Sequence, residues 1–289
     1  MKRRVMICIV SFVGVLAVAA GVAILLAGAP SAPGGGKPPE LLLYCGAGIR
    51  PAAEALMDAF EAQHPCEVVA NYAGSGRLLG QIAAVQKGEL FMPGAELYVD
   101  TAIEKGLAAA DTKRIVAYFV PVIFVAKGNP KGVCTLRDLG KDGLRVGLGD
   151  ERACAVGRAT LKILEKNGVP VLALEPNIVY KSGTVNELAA AVQLGSVDAV
   201  VVWDANARHF AAHGETVPIP PEQNVVVSIP IVMLCSARHP ALARRFIEFI
   251  CSPTGRTILD QRGYTTSLPE SEGKAAGGEP DKSTAGGQP

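Results

Sequence analysis

Four short stretches of this 289-residue chain combine glycine, other small residues and hydroxyls in a way that can hold an anion: GAG at 46–48, GSG at 74–76, ACAVG at 153–157 and TVN at 184–186. The most informative is 145–160, RVGLGDERACAVGRAT, which reads as a short buried strand, a charged turn and the first turn of a helix. The N–H groups of Cys154, Ala155, Val156 and Gly157 would then lie bare at the helix N-terminus. Such groups, with the positive end of the helix dipole, attract anions. Taken alone, the stretch fits close strand-to-helix packing equally well. Its recurrence in four places favours a binding role.

Other reactive residue types carry less. Cys154 at a helix N-terminus should have a lowered thiol pKa, yet no histidine lies near it in sequence and a buried cysteine is the simpler reading. Ser75 sits in AGSGR, where Ala73 replaces the first glycine of a nucleophile elbow. His209 and His213 have zinc-pair spacing, but Phe210 stands where the metalloprotease motif needs Glu, so a solvated helix face is expected. Asp150, Glu151 and Asp204 could gather at the mouth of a cleft, or could be surface carboxylates contacting Arg152 and Arg50. Seven cysteines occur without metal-ligand spacing, so no disulfide pairing, metal site or cofactor is assigned.

The elements that must position these loops follow from hydrophobic patterning. LLLYC at 41–45 is a continuous apolar run, as in a central parallel strand, and Pro51 opens the helical segment 52–63. EVVANY at 67–72 is a second strand leading to helix 77–86, and 96–99 suggests a third, followed by a short helix at 101–106. The run 115–126 is interrupted by Pro121 and reads as two strands; the run 225–234, broken by Pro230, reads as a second such crossing. Between them lie a helix at 156–167, a strand at 178–180, a helix capped by Thr184 with Glu187 closing a capping box, and a buried strand at 197–203 leading to Trp203. Helices at 240–251 and 254–261 follow. Alternation of this kind predicts an α/β protein with two doubly wound lobes joined by two crossover strands. The expected division is 41–118 with 231–269 as lobe 1 and 119–230 as lobe 2, hinged at Val120–Pro121 and Ile229–Pro230.

A net charge of +1 and 5% aromatic residues, with no basic stripe, exclude the footprint of a nucleic-acid binder. At the N-terminus Lys2, Arg3 and Arg4 precede the apolar run 5–28. Residues 1–29 therefore read as a signal peptide or uncleaved membrane anchor, 30–40 as a Pro/Gly linker, and the body as periplasmic or otherwise extracytoplasmic. Residues 270–289 have the composition of a disordered tail.

In open α/β sheets ligands sit beyond the carboxyl ends of the strands. The four loops occupy such places and would surround a small oxyanion with N–H donors, the Ser75 hydroxyl and the side chains of Trp203 or Asn186. The segments YCGAGIRPA, YAGSGRLLGQI, YFVPVIFVAKGNP, GDERACAVGRA and TVNELAAAVQLGSVDAVVVWDA resemble the molybdate-binding proteins of ABC importers over 41–268. The resemblance implies a type II periplasmic binding protein fold, a monomer capturing molybdate or tungstate between two lobes, and delivery to permease and ATPase subunits. It matches Ser75 to a hydroxyl-donating serine, Ala155 and Val156 to small residues donating N–H groups, Val185 to a donor before the next helix, and Trp203 to a ligand-contacting tyrosine. The ligand set it implies is Ala47, Gly48, Gly74, Ser75, Ala155, Val156, Val185 and Trp203, with Gly48 standing where many members carry serine. A membrane-tethered oxyanion sensor or scavenger of the same fold is the alternative; a thiol enzyme built on Cys154 ranks last.

Overall fold

The computed structural model describes residues 37–268. The expected anchor at 5–28 and the tail at 270–289 lie outside them. Among the described residues no helix is long and apolar enough to cross a membrane.

The chain opens with strand β1 (Glu40–Gly46), a single 3₁₀ turn at Ala47–Ile49, helix α1 (Arg50–Glu61), β2 (Glu67–Ala73), α2 (Ser75–Val85), β3 (Leu90–Met92), α3 (Glu96–Glu104) and β4 (Arg114–Phe119). It continues through β5 (Pro121–Ala126), β6 (Val146–Gly149), α4 (Ala155–Lys166), β7 (Ile178–Ser182), α5 (Val185–Gln193), β8 (Ala199–Trp203), α6 (Asp204–His209) and β9 (Gly214–Pro218). Strand β10 (Val227–Met233) and helices α7 (Pro240–Cys251) and α8 (Pro253–Gln261) complete it.

Two five-stranded sheets result, in the orders β2-β1-β3-β10-β4 and β7-β6-β8-β5-β9. In the first, β1 runs parallel to β2 and β3, whereas β10 is antiparallel to β3 and β4. The second mirrors it: β6 is parallel to β7 and β8, and β5 is antiparallel to β8 and β9. The parallel strands are apolar on both faces because helices cover both, so Leu41, Leu43 and Cys45 of β1 and Ala199 to Val202 of β8 are all buried. Phe60 of α1 meets Phe246 of α7 edge to face, ring centroids 5.0 Å apart, fastening the last helices to the first sheet.

Two expectations need correction. Residues 96–99 begin α3, and the third strand is the three-residue Leu90–Met92 upstream; ELYV pairs β-favouring residues, but its one buried face at Tyr98, Val99 and Ala102 has helical spacing. Pro230 does not break its run into two strands. It sits at a bulge inside β10, which pairs with β3 and β4 of the first sheet. The sheets are therefore linked by Val120 alone on one side and by residues 219–226 on the other. The prolines at the crossings are Pro121 on one side and Pro220 and Pro221 on the other.

Local caps behave as their chemistry requires. Thr135 and Asp138 form a reciprocal capping box, and Asp138 Oδ2 accepts from the N–H of Cys134 and of Thr135, both at 2.8 Å. Those backbone donors, Cys134's foremost, lower the Asp138 pKa to about 2. A depressed carboxylate contributes stability above its unfolded pKa of about 3.9 and loses it as pH falls toward 2. Asp138→Asn is expected to cost about 1 kcal/mol at pH 6, or about 2–4 °C in Tm. Thermal unfolding of both proteins should show that difference closing between pH 4 and pH 2.

Candidate functional site

All eight residues of the expected ligand set line one cavity. Its walls come from the ends of β1, β2 and β3 in the first sheet and from the segments that follow β6, β7 and β8 in the second. Ser75 is the first residue of α2, Ala155 and Val156 the first two of α4, and Val185 the first of α5. Their N–H groups have no helical carbonyl one turn upstream to bond. Ala47, opening the 3₁₀ turn after β1, adds a fourth chain end of the same kind.

Ser75 is buried, and its Oγ accepts a 3.0 Å hydrogen bond from the N–H of Gly94. That bond fixes the oxygen and leaves the hydroxyl proton to be donated into the cavity. Trp203 forms the opposite wall, stacked on Phe119 with centroids 4.5 Å apart and planes 7° from parallel. Gly48 faces it. A Cβ on Gly48 would lie 2.9 Å from Val185 Cγ1 and 3.1 Å from Trp203 Cδ1, so a larger residue there would need both side chains to shift. Glycine in the first loop and tryptophan at the end of β8 fit together.

The two sheets touch around the cavity through backbone. A Cβ on Gly74 would stand 2.2 Å from the carbonyl of Gly183 and 2.3 Å from that of Ala153, and one on Gly76 would stand 1.9 Å from the carbonyl of Arg152. No side chain can be accommodated at either position. The contact is also bonded, since the Gly76 N–H donates to Ala153 O at 3.1 Å. A second bridge is made of amides: Asn186 Nδ2 donates to Ala47 O at 2.9 Å, and Asn206 Nδ2 donates to Asn186 Oδ1 at 2.9 Å and to Gly48 O at 3.3 Å. From the C-terminal end Tyr264 donates its hydroxyl to Gly48 O at 2.7 Å. Asn186 thus binds the opposing loop and is not among the cavity-lining residues.

Sequence reasoning missed Gly94, Phe119, Asn206 and Tyr264. Each acts through a contact between segments far apart in the chain, which no local pattern reveals. Thr184 caps α5 as expected, accepting from the Glu187 N–H, but the Glu187 carboxylate takes the Ser182 hydroxyl, and the Thr184 N–H donates to Ser182 Oγ instead. The capping box is closed through a third residue.

Three expectations about reactive groups are revised. The Cys154 N–H is not bare; it donates to Asp150 O at 2.8 Å. Burial pushes the Cys154 thiol up to about 11, outweighing the backbone N–H groups of Val156 and Gly157 that pull it down. The thiol is therefore protonated and shielded at neutral pH. Asp150 accepts from the N–H groups of Arg152 and Ala153, which lower its pKa, whereas burial raises that of Asp204. Asp204 lies at the crossing: its N–H donates to Val120 O at 2.9 Å, and its Oδ1 accepts from the Val120 N–H at 3.4 Å. The carboxylates do not gather at the cavity. Among the described residues no group of His, Cys, Asp or Glu is arranged to hold a metal ion, and His209 and His213 are exposed.

No lining residue carries a charged side chain. The centre of a water-sized sphere can range over about 20 Å³ of the cavity. What the site offers is a small space with neutral donors on several sides.

The sequence profile of bacterial extracellular solute-binding proteins matches residues 41–265, and the chain belongs to that family. A binding protein of Haemophilus influenzae is 32% identical over 228 residues, spanning 78% of this chain and 90% of that protein. The molybdate-binding protein ModA of Mycobacterium tuberculosis is 28% identical over 226 residues, 78% of this chain and 84% of that protein. Among solved structures the sulfate-binding protein SubI of Mycobacterium tuberculosis has a TM-score of 0.72 at 19% identity, covering 78% of this chain and 86% of that one. The α/β fold, with two mixed five-stranded sheets, is that of type II periplasmic binding proteins.

Burial orders the cysteines by reactivity. Among the described residues all six are free; Cys134 and Cys235 are exposed, Cys45 and Cys154 buried. Iodoacetamide at pH 8 followed by peptide mass spectrometry should label Cys134 and Cys235 within minutes and reach Cys45 and Cys154 only after unfolding. Rapid labelling of Cys154 in the folded protein would contradict the shielded site.

Proposed function

We propose that this protein is the solute-binding component of an ABC importer, capturing molybdate, tungstate or a similar tetrahedral oxyanion and delivering it to permease and ATPase partners. The observation that carries the reading is the cavity's combination of size and chemistry. A volume of about 20 Å³ is that of a ball about 1.7 Å in radius. The four oxygens of a tetrahedral oxyanion, each the size of a water oxygen, lie at a comparable distance from the central atom. Neutral N–H and O–H groups hold such an anion by dipoles, and a closed site strengthens each bond by excluding water. A metal cation would lack carboxylate ligands here, and a sugar phosphate would not fit. The names of the molybdate- and sulfate-binding relatives agree with this class of solute.

In this reading Ser75 donates its hydroxyl, and Ala47, Gly48, Gly74, Ala155, Val156 and Val185 present backbone N–H groups from both sheets. Trp203 supplies a flat wall and its indole edge. The anion then joins the two halves, because each contributes donors that the other cannot replace. Bending at Val120 and in 219–226 opens the cleft, and the anion favours the closed arrangement in which all donors converge.

Isothermal titration of residues 37–289 with molybdate, tungstate, sulfate and phosphate is expected to give a Kd below about 10 μM, or about −7 kcal/mol, for at least one of them. If none reaches that affinity, the transport reading fails. Ser75→Ala should weaken the best ligand by about 1–3 kcal/mol; an unchanged affinity would remove Ser75 from the site. Gly76→Ala should weaken it at least as much by holding the loops apart, in a protein whose thermal midpoint reports any separate loss of folding.

A further inference from the structure

A cavity without charge cannot attract a distant ion, so long-range attraction must come from its surroundings. One groove next to it is suited to that task. It has a volume of about 200 Å³ and lies between Ala155, Arg158, Ala159 and Lys162 on α4 and, opposite, residues 95–97 with 225–228. Ala155 lines both the groove and the cavity. The partition is thin, because a Cβ on Gly94 would touch that of Ala155 at 3.3 Å.

The charges facing the groove are unequal. Arg158 and Lys162 stand one turn apart on α4, against a single carboxylate in the lining, Glu96, which shares Lys113 with Asp100, each at 2.6 Å. The Arg158 guanidinium lies against the hydroxyl of the buried Tyr98 and pulls its pKa down against the stronger effect of burial. That contact ties α4 to α3, a helix of the other sheet, and holds the Arg158 side chain at the groove.

We propose that this groove is a transit subsite for the oxyanion, where Arg158, with Lys162, collects the ion before it passes the Gly94–Ala155 partition into the cavity. The inference rests on the oxyanion reading of that cavity. Arg158 is a steering residue; it touches the ion on the way in and does not hold it in the closed site. Its loss should slow capture while leaving the final contacts in place.

Trp203 is the chain's only tryptophan and lines the cavity, so its fluorescence reports arrival. Stopped-flow mixing with molybdate over 10–300 mM salt (on the order of the range in which screening changes most) is the test. Arg158→Gln should lower the association rate constant about threefold to tenfold at low salt and flatten its salt dependence, with Lys162→Gln acting in the same direction. Arg158→Lys, which keeps the charge, should restore most of the rate. Equal slowing by Arg158→Gln and Arg158→Lys, or an unchanged rate and slope in a folded Arg158→Gln protein, would overturn the proposal. If molybdate does not bind, the same series is run with whichever of tungstate, sulfate and phosphate binds most tightly; failure of the unaltered protein to bind any of the four, by titration and by fluorescence, would instead overturn the oxyanion reading and this inference with it.

Discussion

The approach of backbone to backbone at Gly74 and Gly76 is the constraint on which the rest of the molecule depends. N–H donors are short. For groups from both sheets to reach one small ion, the peptide planes themselves must come within hydrogen-bonding distance, and a single Cβ at either position would stand about 2 Å from a carbonyl of the other half. Everything around the cavity serves that closeness. The parallel strands deliver helix N-termini to one edge of each sheet, small residues at Ala153 and Gly183 receive the glycine loop, and Ser75 is held in place by the Gly94 N–H.

A second consequence is that selectivity is built from exclusion as much as from attraction. Trp203 and Val185 crowd the space beside Gly48, and the stacking of Trp203 on Phe119 fixes the plane of that wall. The carboxylates near the cleft are committed to backbone N–H groups: Asp150 to its own turn, Asp204 to the crossing at Val120. An anion therefore meets no free carboxylate in the lining, although the chain as a whole is nearly neutral.

Much of this was legible in the sequence, for physical reasons. Strands covered on both faces must be continuously apolar, so LLLYC and AVVVW announce themselves, and a glycine-rich turn before a helical pattern marks an exposed N-terminus. The recurring pattern pointed to the four loops, and the resemblance to molybdate-binding proteins implied the eight residues of the ligand set. What escaped was set by tertiary context. β3 is only three residues long, below the length at which periodicity can be read. Pro230 could be placed in an apolar run but not in a particular sheet, because a bulge and a break look alike in sequence. A helix end suggested a lowered pKa for the Cys154 thiol, but burial, the reading favoured by the lack of a nearby histidine, raises it instead. Asn206 and Tyr264 meet the first loop across 158 and 216 residues of chain, a separation no local pattern spans.

The amide bridge from Asn186 and Asn206 to the carbonyls of Ala47 and Gly48 joins the two halves without using any group the anion needs. Closure then carries a free energy of its own, separate from that of the ion. If the halves open as proposed, the ratio of open to shut forms in the empty protein is set in part by this bridge, and observed affinity is the intrinsic affinity scaled by the competent fraction. A tighter bridge would raise affinity yet lengthen the time an ion stayed trapped, and a carrier must also let go. The three hydrogen bonds that cross between the halves, from Asn186, Asn206 and Gly76, would then act as a timer for release.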